Sequence, residues 1–121
     1  MPHIIAEYTA SLEPKLDPQK LLADLHAAAA STNLFDVMTI RARAIRHSQF
    51  LVADGKAGNG FIHITARLRG GRTFEERKSL GETLLAAATL SLAEVFSSHA
   101  VIMNVEVQEI VPEMIFRKST I

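Results

Sequence analysis

The order of apolar and polar positions along the chain predicts four β-strands. Apolar residues begin almost at once and indicate a first strand over residues 2–8. A second strand is expected over residues 37–45, running on in broken form towards residue 52. Residues 61–69 alternate with a period of two, which is typical of a strand with one buried face. A fourth apolar alternation predicts a strand over residues 101–107.

Apolar residues at helical spacing predict two helices, one after the first strand and one after the third. The first begins at Asp17, which can cap free amides, and at Pro18, which suits the first helical position. Thr73 and Glu76 have capping-box spacing at the start of the second. Gly81 inside this helix costs about 1 kcal/mol relative to alanine, which predicts close approach by another backbone. The buried stripe of the second helix is expected to be Leu80, Leu84, Ala88, Leu92, Val95 and Phe96.

The repeated order strand–helix–strand predicts an α+β fold in which each helix connects two parallel strands. Both helices then cover one face of a four-stranded sheet. The opposite face must meet solvent or another subunit, and the pattern does not decide between them. With 121 residues, the chain is expected to form one domain over residues 1–121. The apolar tail, residues 112–121, is expected to pack against a neighbouring subunit.

The composition excludes several classes of function. The 13 basic and 13 acidic side chains give zero net charge, which disfavours nucleic acid or a membrane surface as a partner. No cysteine is present, so neither disulfides nor thiolate ligands are expected. No apolar run approaches membrane-spanning length, and a cytoplasmic location is the expectation. The five histidines lack the spacing of a metal site: His3, His26, His47, His63 and His99.

The first candidate catalytic residue lies at the start of the chain. A methionine followed by a small residue is usually trimmed during synthesis, so Pro2 is expected at the mature amino terminus. The nitrogen of such a proline is a free secondary amine. Burial and nearby cations lower the pKa of an amino-terminal amine from its usual value of about 7.7–8.0. A base with a pKa near the working pH suits proton transfer, whereas a functionless Met-Pro opening is the alternative.

Three arginines are candidates for binding an anion. Arg41 and Arg43 lie two residues apart on the second predicted strand, so their side chains share one face. Arg72 directly precedes the second predicted helix, where free backbone amides and the positive helix end favour an anion. Its guanidinium adds a rigid fork for a carboxylate. A solvated strand face for Arg43 and an ordinary surface turn for Arg72 are the alternatives.

Four short motifs together resemble one known family. They are Pro2-His3-Ile4, Ile40-Arg41-Ala42-Arg43, Val52-Ala53-Asp54-Gly55, and Gly71-Arg72-Thr73 with Glu76-Arg77. In this order and spacing they resemble the 5-carboxymethyl-2-hydroxymuconate Δ-isomerase family of the tautomerase superfamily. The similarity spans nearly the whole chain, as far as Phe116-Arg117-Lys118.

The resemblance implies a β-α-β-β-α-β subunit, a homotrimer, and an isomerase that uses neither a metal nor an organic cofactor. By match, Pro2 takes the position of the catalytic base. Arg41 and Arg72 take substrate-binding positions, and Arg43 matches a neighbouring arginine that is a further candidate. The implied substrate is an unsaturated 2-hydroxy polycarboxylate, a small molecule formed by ring opening in homoprotocatechuate degradation.

Three other interpretations remain open at this stage. A relative in the same superfamily with the same base and arginines would act on a different enol or on a halogenated acid. The same order of elements also builds the ferredoxin-like fold, which would make the chain a non-catalytic small-molecule-binding domain with an incidental Pro2. A structural trimer without activity is the third interpretation, and only an assay separates it from the enzyme.

Overall fold

Four strands form one mixed sheet in the computed structural model, which describes all 121 residues. They are β1 (His3–Thr9), β2 (Arg41–His47), β3 (Gly60–Arg69) and β4 (Val101–Ile110). Their order across the sheet is β2-β1-β3-β4. β1 runs parallel to β2 and antiparallel to β3, and β3 runs parallel to β4. Each parallel pair is joined by a helical connection, so the predicted topology is confirmed.

Helices cover one face of this sheet. They are α1 (Pro18–Ser31), α2 (Phe74–Ser91) and the short α3 (Ala93–Ser98). The predicted caps are present: the Asp17 carboxylate accepts the backbone N–H groups of Gln19 and Lys20 at 3.1 and 3.2 Å. Thr73 and Glu76 exchange both bonds of a capping box, at 2.9 and 3.1 Å. These bonds satisfy amides that the first helical turn leaves free.

The second predicted helix is interrupted near its end. The backbone of Leu92 leaves the helical region, with φ −106° and ψ 24°, so α2 ends at Ser91 and α3 begins again at Ala93. This break turns the following residues. Val95 remains fully buried, whereas Phe96 is 39% exposed. The prediction that Phe96 belongs to the buried stripe is therefore wrong.

The predicted limits of the second strand are also wrong. Residues Val37–Thr39 form a short 3-10 helix, because the Asp36 carboxylate accepts the Met38 N–H at 3.0 Å and stabilises a turn. Pairing with β1 starts only at Arg41, and β2 ends at His47. The segment towards residue 52 is a loop and not a broken strand. The apolar residues Val37 and Met38 have the sequence pattern of a buried strand, but their side chains are largely exposed.

The core lies between the helices and the covered face of the sheet. Alternate residues of β3 point into it, including Ile62, Ile64 and Leu68, which are fully buried. Gly81 in α2 faces β4, where an added Cβ would lie 3.4 Å from Cγ2 of Val107. The close neighbour of Gly81 is therefore a side chain and not the backbone that its position predicts.

The opposite face of the sheet is not covered by any element of the subunit. It carries two polar pairs between strands: His47 with Glu7 at 3.0 Å, and His63 with Glu106 at 3.1 Å. Apolar side chains such as Ile102, which is 54% exposed, lie on the same face. The mixed character expected from the sequence is present. No helix of the chain is long and apolar enough to cross a membrane.

Candidate functional site

The start of the chain is held firmly against the segment that precedes β2. The side chain of Pro2 is fully buried, and its carbonyl oxygen accepts the backbone N–H of Arg41 at 3.2 Å. The amino group of Met1 donates to the carbonyl oxygen of Thr39 at 3.4 Å, and the Thr39 hydroxyl donates to the Met1 carbonyl at 3.3 Å. These contacts fix the first residues at the end of the sheet, where β1 and β2 both begin.

Positive charge surrounds the amine at this point. Burial lowers the pKa of the Met1 amino group below its ordinary value of 8.0, and the charges of Arg41, Arg117 and Arg72 lower it further. The amine is therefore more easily neutral than an exposed one. Consecutive Cα atoms are about 3.8 Å apart, so an amine transferred to Pro2 by loss of Met1 would stay within the same surroundings.

Arg41 opens β2 at the edge of the sheet. Its Nε donates to the carbonyl oxygen of Thr39 at 3.3 Å, and no carboxylate pairs with it. The parallel register sets Arg41 beside His3 of β1. The guanidinium of Arg41 thus lies close to the chain start, with charged N–H groups that remain available for an anion.

Arg43 faces a different neighbour on the same strand face. Its Nη1 donates to Nδ1 of His3 at 3.1 Å. A guanidinium has no acceptor, so Nδ1 is unprotonated and the ring proton of the neutral histidine is on Nε2. Burial lowers the pKa of His3, and so do the charges of Arg41, Arg43, the chain amine and Arg67. His3 is therefore held as a neutral hydrogen-bond donor beside the amine.

Arg72 lies in the turn before α2, and its charge acts on the pKa of the Met1 amine. Its guanidinium carbon lies 4.9 Å from the centroid of the Phe35 ring, and its buried Nε has no hydrogen-bond partner. The backbone amides at the start of α2 add a positive helix end. A buried donor without a partner is costly unless a ligand supplies one. The surroundings of Arg72 therefore suit a bound carboxylate.

Two clefts border the start of the chain, and neither is lined by an acidic side chain. The larger, of about 400 Å³, lies between His3, Arg43 and Arg67 on one side and apolar residues of the tail on the other. The smaller, of about 140 Å³, is lined by Arg41 and Arg117 together with Lys118. Both clefts are chemically suited to an anionic ligand with an apolar part.

Of the four residues selected from the sequence, the structure brings two into contact, and Arg72 lines neither cleft. Pro2 and Arg41 are in direct contact, and the charge of Arg72 acts on the amine next to Pro2. Arg43 lies on the neighbouring cleft with His3. The assigned roles of these residues remain predictions.

Sequence reasoning did not select four residues of these surroundings: His3 and Arg67 on the larger cleft, Arg117 in the tail, and Phe35. His3 is a neighbour of Pro2 in the chain and was the easiest to find. Arg67 lies opposite His3 in the antiparallel pairing of β1 and β3. The register of this pairing could not be predicted from the sequence. Arg117 and Phe35 lie outside the strands and the helices, where no periodic pattern marks them.

The histidine and acidic side chains do not form a cluster that could bind a metal ion. No group of three or more histidine or acidic side chains has the arrangement of a metal site. The histidines of the uncovered face instead pair singly with glutamates. The expectation that the protein uses no metal or organic cofactor stays a prediction.

Comparisons with known proteins agree with the arrangement. The sequence model of the family described as "CHMI: 5-carboxymethyl-2-hydroxymuconate isomerase" matches residues 2–121. A relative from Escherichia coli, "5-carboxymethyl-2-hydroxymuconate Delta-isomerase", is 26% identical over 121 residues, which are 100% of this chain and 96% of the relative.

Solved structures extend the likeness to three dimensions. The crystal structure of a 5-carboxymethyl-2-hydroxymuconate isomerase from Deinococcus radiodurans R1 has a TM-score of 0.89 and 30% identity, covering 98% of this chain and 90% of that one. A structure described as "Q0 fused 4-OT wild type symmetric trimer" has a TM-score of 0.70 and 19% identity, covering 90% and 85% of the two chains. The second likeness concerns the fold alone.

Proposed function

The chain belongs to the 5-carboxymethyl-2-hydroxymuconate isomerase family, and from this membership we propose its reaction and its catalytic base. It is an isomerase that acts without a cofactor on an unsaturated 2-hydroxy polycarboxylate of the 5-carboxymethyl-2-hydroxymuconate type. Pro2, freed by removal of Met1, is the general base. Its neutral nitrogen takes the proton of the 2-hydroxyl group and returns one proton to the carbon chain. The enol becomes a ketone, the double bond shifts, and no net proton is lost.

The observation that carries this proposal is the electrostatic state of the amine at the start of the chain. Burial is the largest cause of its lowered pKa, and three arginines add to the effect. A neutral amine is required to accept a proton, so the same surroundings that bind an anion also prepare the base. The complete burial of the Pro2 side chain supports a fixed position for its nitrogen.

Arg41 and Arg72 bind carboxylates of the substrate and stabilise the negative charge of the dienolate intermediate. Neither pairs with an acidic side chain in the subunit, and the buried Nε of Arg72 has no partner. Fixed charges directed at a developing anion are often the largest catalytic contribution, and losing one donor costs on the order of 3 kcal/mol in barrier height. Arg43 is a further substrate-binding residue, reached through the larger cleft that it shares with His3.

The working enzyme is a homotrimer with a small-molecule polycarboxylate as its substrate. Its uncovered sheet face and its exposed tail side chains, Met114 and Phe116 among them, support self-association. A structural neighbour is described as a symmetric trimer, which agrees with this assembly. We further propose that the tail contacts a neighbouring subunit, and that the enzyme acts in the cytoplasm without nucleic acid or membrane as a partner.

An ultraviolet assay with a 2-hydroxymuconate-type dienol tests the proposal. The wild type should convert the dienol to the unsaturated ketone, and its intact mass should lack Met1. A variant with one extra residue retained ahead of Pro2 has an amide nitrogen there and should lose turnover. The matched control, Pro2→Ala, keeps a free primary amine and should retain part of the activity. Full turnover by the extended variant would rule out Pro2 as the base.

A further inference from the structure

The C-terminal tail, residues 112–121, lies across the start of its own chain. It leaves β4 through a 3-10 turn, Pro112–Met114, in which the Met114 N–H donates to the Val111 carbonyl at 3.0 Å. Its apolar residues, including Phe116, line the larger cleft. Arg117 follows directly and lines the smaller cleft. One short segment therefore contributes an apolar wall to one cleft and a cation to the other.

Three cations line the smaller cleft, and the last residue, Ile121, which carries the terminal carboxylate, lines it too. Arg41, Arg117 and Lys118 line it, and none of them forms an ion pair anywhere in the subunit. Two arginines elsewhere do have acidic partners: Arg46 pairs with Glu13 at 3.2 Å, and Arg77 lies 3.6 Å from Glu109. Like charges placed together repel one another unless a counter-ion joins them. The three cations thus form no ion pair with any carboxylate of the chain, the terminal one of Ile121 included, and remain available for an anion.

We propose that Arg117 is a substrate-binding residue that forms, with Arg41, a subsite for the carboxymethyl arm of the substrate. This inference rests on the proposed function and extends it by assigning one carboxylate to one cleft. A volume of about 140 Å³ holds several water-sized groups, so the cleft has room for a short carboxylate arm. Two guanidinium groups provide the fork geometry that a carboxylate prefers.

Arg117 differs from its neighbour Lys118 in its effect on the base. The charge of Arg117 is one of those that lower the pKa of the chain amine, and that of Lys118 is not. Arg117 is therefore the tail cation whose charge acts at the amine, and Lys118 lines the same cleft without that effect. This difference makes Lys118 a matched control, since it shares the tail, the cleft and the charge.

Kinetics with two substrates test the assignment. 5-Carboxymethyl-2-hydroxymuconate carries the arm, and 2-hydroxymuconate lacks it. Arg117→Gln should raise KM for the first about tenfold or more and leave KM for the second nearly unchanged, since a charge-assisted bond to the arm is lost. Arg117→Lys should recover part of the loss. Lys118→Gln should raise KM for the first substrate less than Arg117→Gln does, because the charge of Arg117 and not that of Lys118 acts at the chain amine.

Several outcomes would overturn the inference. An equal change in KM for both substrates would show that Arg117 does not bind the carboxymethyl arm. An effect of Lys118→Gln as large as that of Arg117→Gln would show that the cleft attracts anions only through its general positive charge. Absence of wild-type turnover with both substrates would instead contradict the proposed function. In that case, calorimetry with 5-carboxymethyl-2-hydroxymuconate still tests the subsite: Arg117→Gln should weaken binding about tenfold, and unchanged affinity would refute it.

Discussion

The guanidinium carbon of Arg72 lies 4.9 Å from the centroid of the Phe35 ring. A guanidinium stacked on a ring keeps its N–H edges free, so the ring orients Arg72 without consuming its donors. The unpartnered buried Nε agrees with this. Phe35 comes from the loop after α1, and Arg72 from the turn before α2. The contact therefore joins two loops that are distant in sequence.

Lysine at position 72 should not replace arginine. Arg72→Lys keeps the charge but loses the planar fork, and we expect kcat/KM for a polycarboxylate dienol to fall by about two orders of magnitude. Phe35→Leu should cost only a few-fold, because the arginine remains but is less well oriented. Arg77→Lys is the control, since Arg77 lies 5.9 Å from the Phe74 ring but already pairs with Glu109 at 3.6 Å. Wild-type kinetics for Arg72→Lys would remove Arg72 from the site.

The pH profile of kcat/KM should report the amine at the start of the chain. Burial and nearby arginines lower the pKa of the Met1 amino group, and the same surroundings act on an amine at Pro2. The neutral form is active, so activity is lost as the pH falls below the pKa of the Pro2 amine. Arg41→Gln removes one positive charge, raises that pKa, and should move the acid limb to higher pH. Arg46→Gln on the same strand is the control, since Arg46 pairs with Glu13. An acid limb that does not move in Arg41→Gln would contradict the electrostatic account.

Two glycines at the start of β3, Gly58 just before it and Gly60 as its first residue, should respond differently to alanine. An added Cβ at Gly60 would lie 2.5 Å from Cδ2 of Leu12 and 2.6 Å from Oγ1 of Thr9, which accepts the Phe61 N–H at 3.2 Å. Gly60→Ala should therefore lower the free energy of unfolding by about 1–3 kcal/mol. Gly58 has no neighbour within 4 Å, and Gly58→Ala should be neutral or slightly stabilising. Urea unfolding at one fixed protein concentration measures both, and equal stabilities would contradict the packing described at Gly60.

Light scattering coupled to gel filtration should give the mass of three chains. Ile45 lies on the uncovered sheet face and is 41% exposed in the subunit. Ile45→Asp should lower the mass, because a buried carboxylate without a partner is unfavourable at an interface. Leu90 is 81% exposed on the helical side, and Leu90→Asp should leave the mass unchanged. A trimer that survives Ile45→Asp but not Leu90→Asp would place the interface on the helices.

Local patterns were sufficient for most of the fold. The alternation in β3 correctly predicts its buried face, and the caps at Asp17 and Thr73 correctly predict where the helices begin. Period and cap chemistry act between residues close in sequence, so a sequence contains them directly. The pattern failed at Val37, where apolar residues form an exposed turn, and at Leu92, where a backbone break ends α2.

The candidate site also contains some residues that the sequence identifies and others that only the folded structure brings there. Pro2, Arg41 and Arg72 are named by motifs in the sequence, whose order and spacing are those of the family that matches residues 2–121. The pairing of β1 with β2 sets Arg41 beside Pro2, and the path of the turn before α2 brings Arg72 near enough for its charge to act on the amine. Phe35 and Arg117 reach the same place along loops whose paths depend on packing.

The sequence by itself thus determined the element order, the helix starts and the family of this protein, because periodicity, caps and motifs depend on neighbouring residues. Only the tertiary structure decided the surroundings of the amine at the chain start. These are its burial, the three arginines whose charges lower the pKa of the Met1 amino group, and the cleft that Arg117 lines. The physical reason is distance. Electrostatic and packing energies depend on separations in space between residues that are far apart in the chain, and those separations exist only after folding.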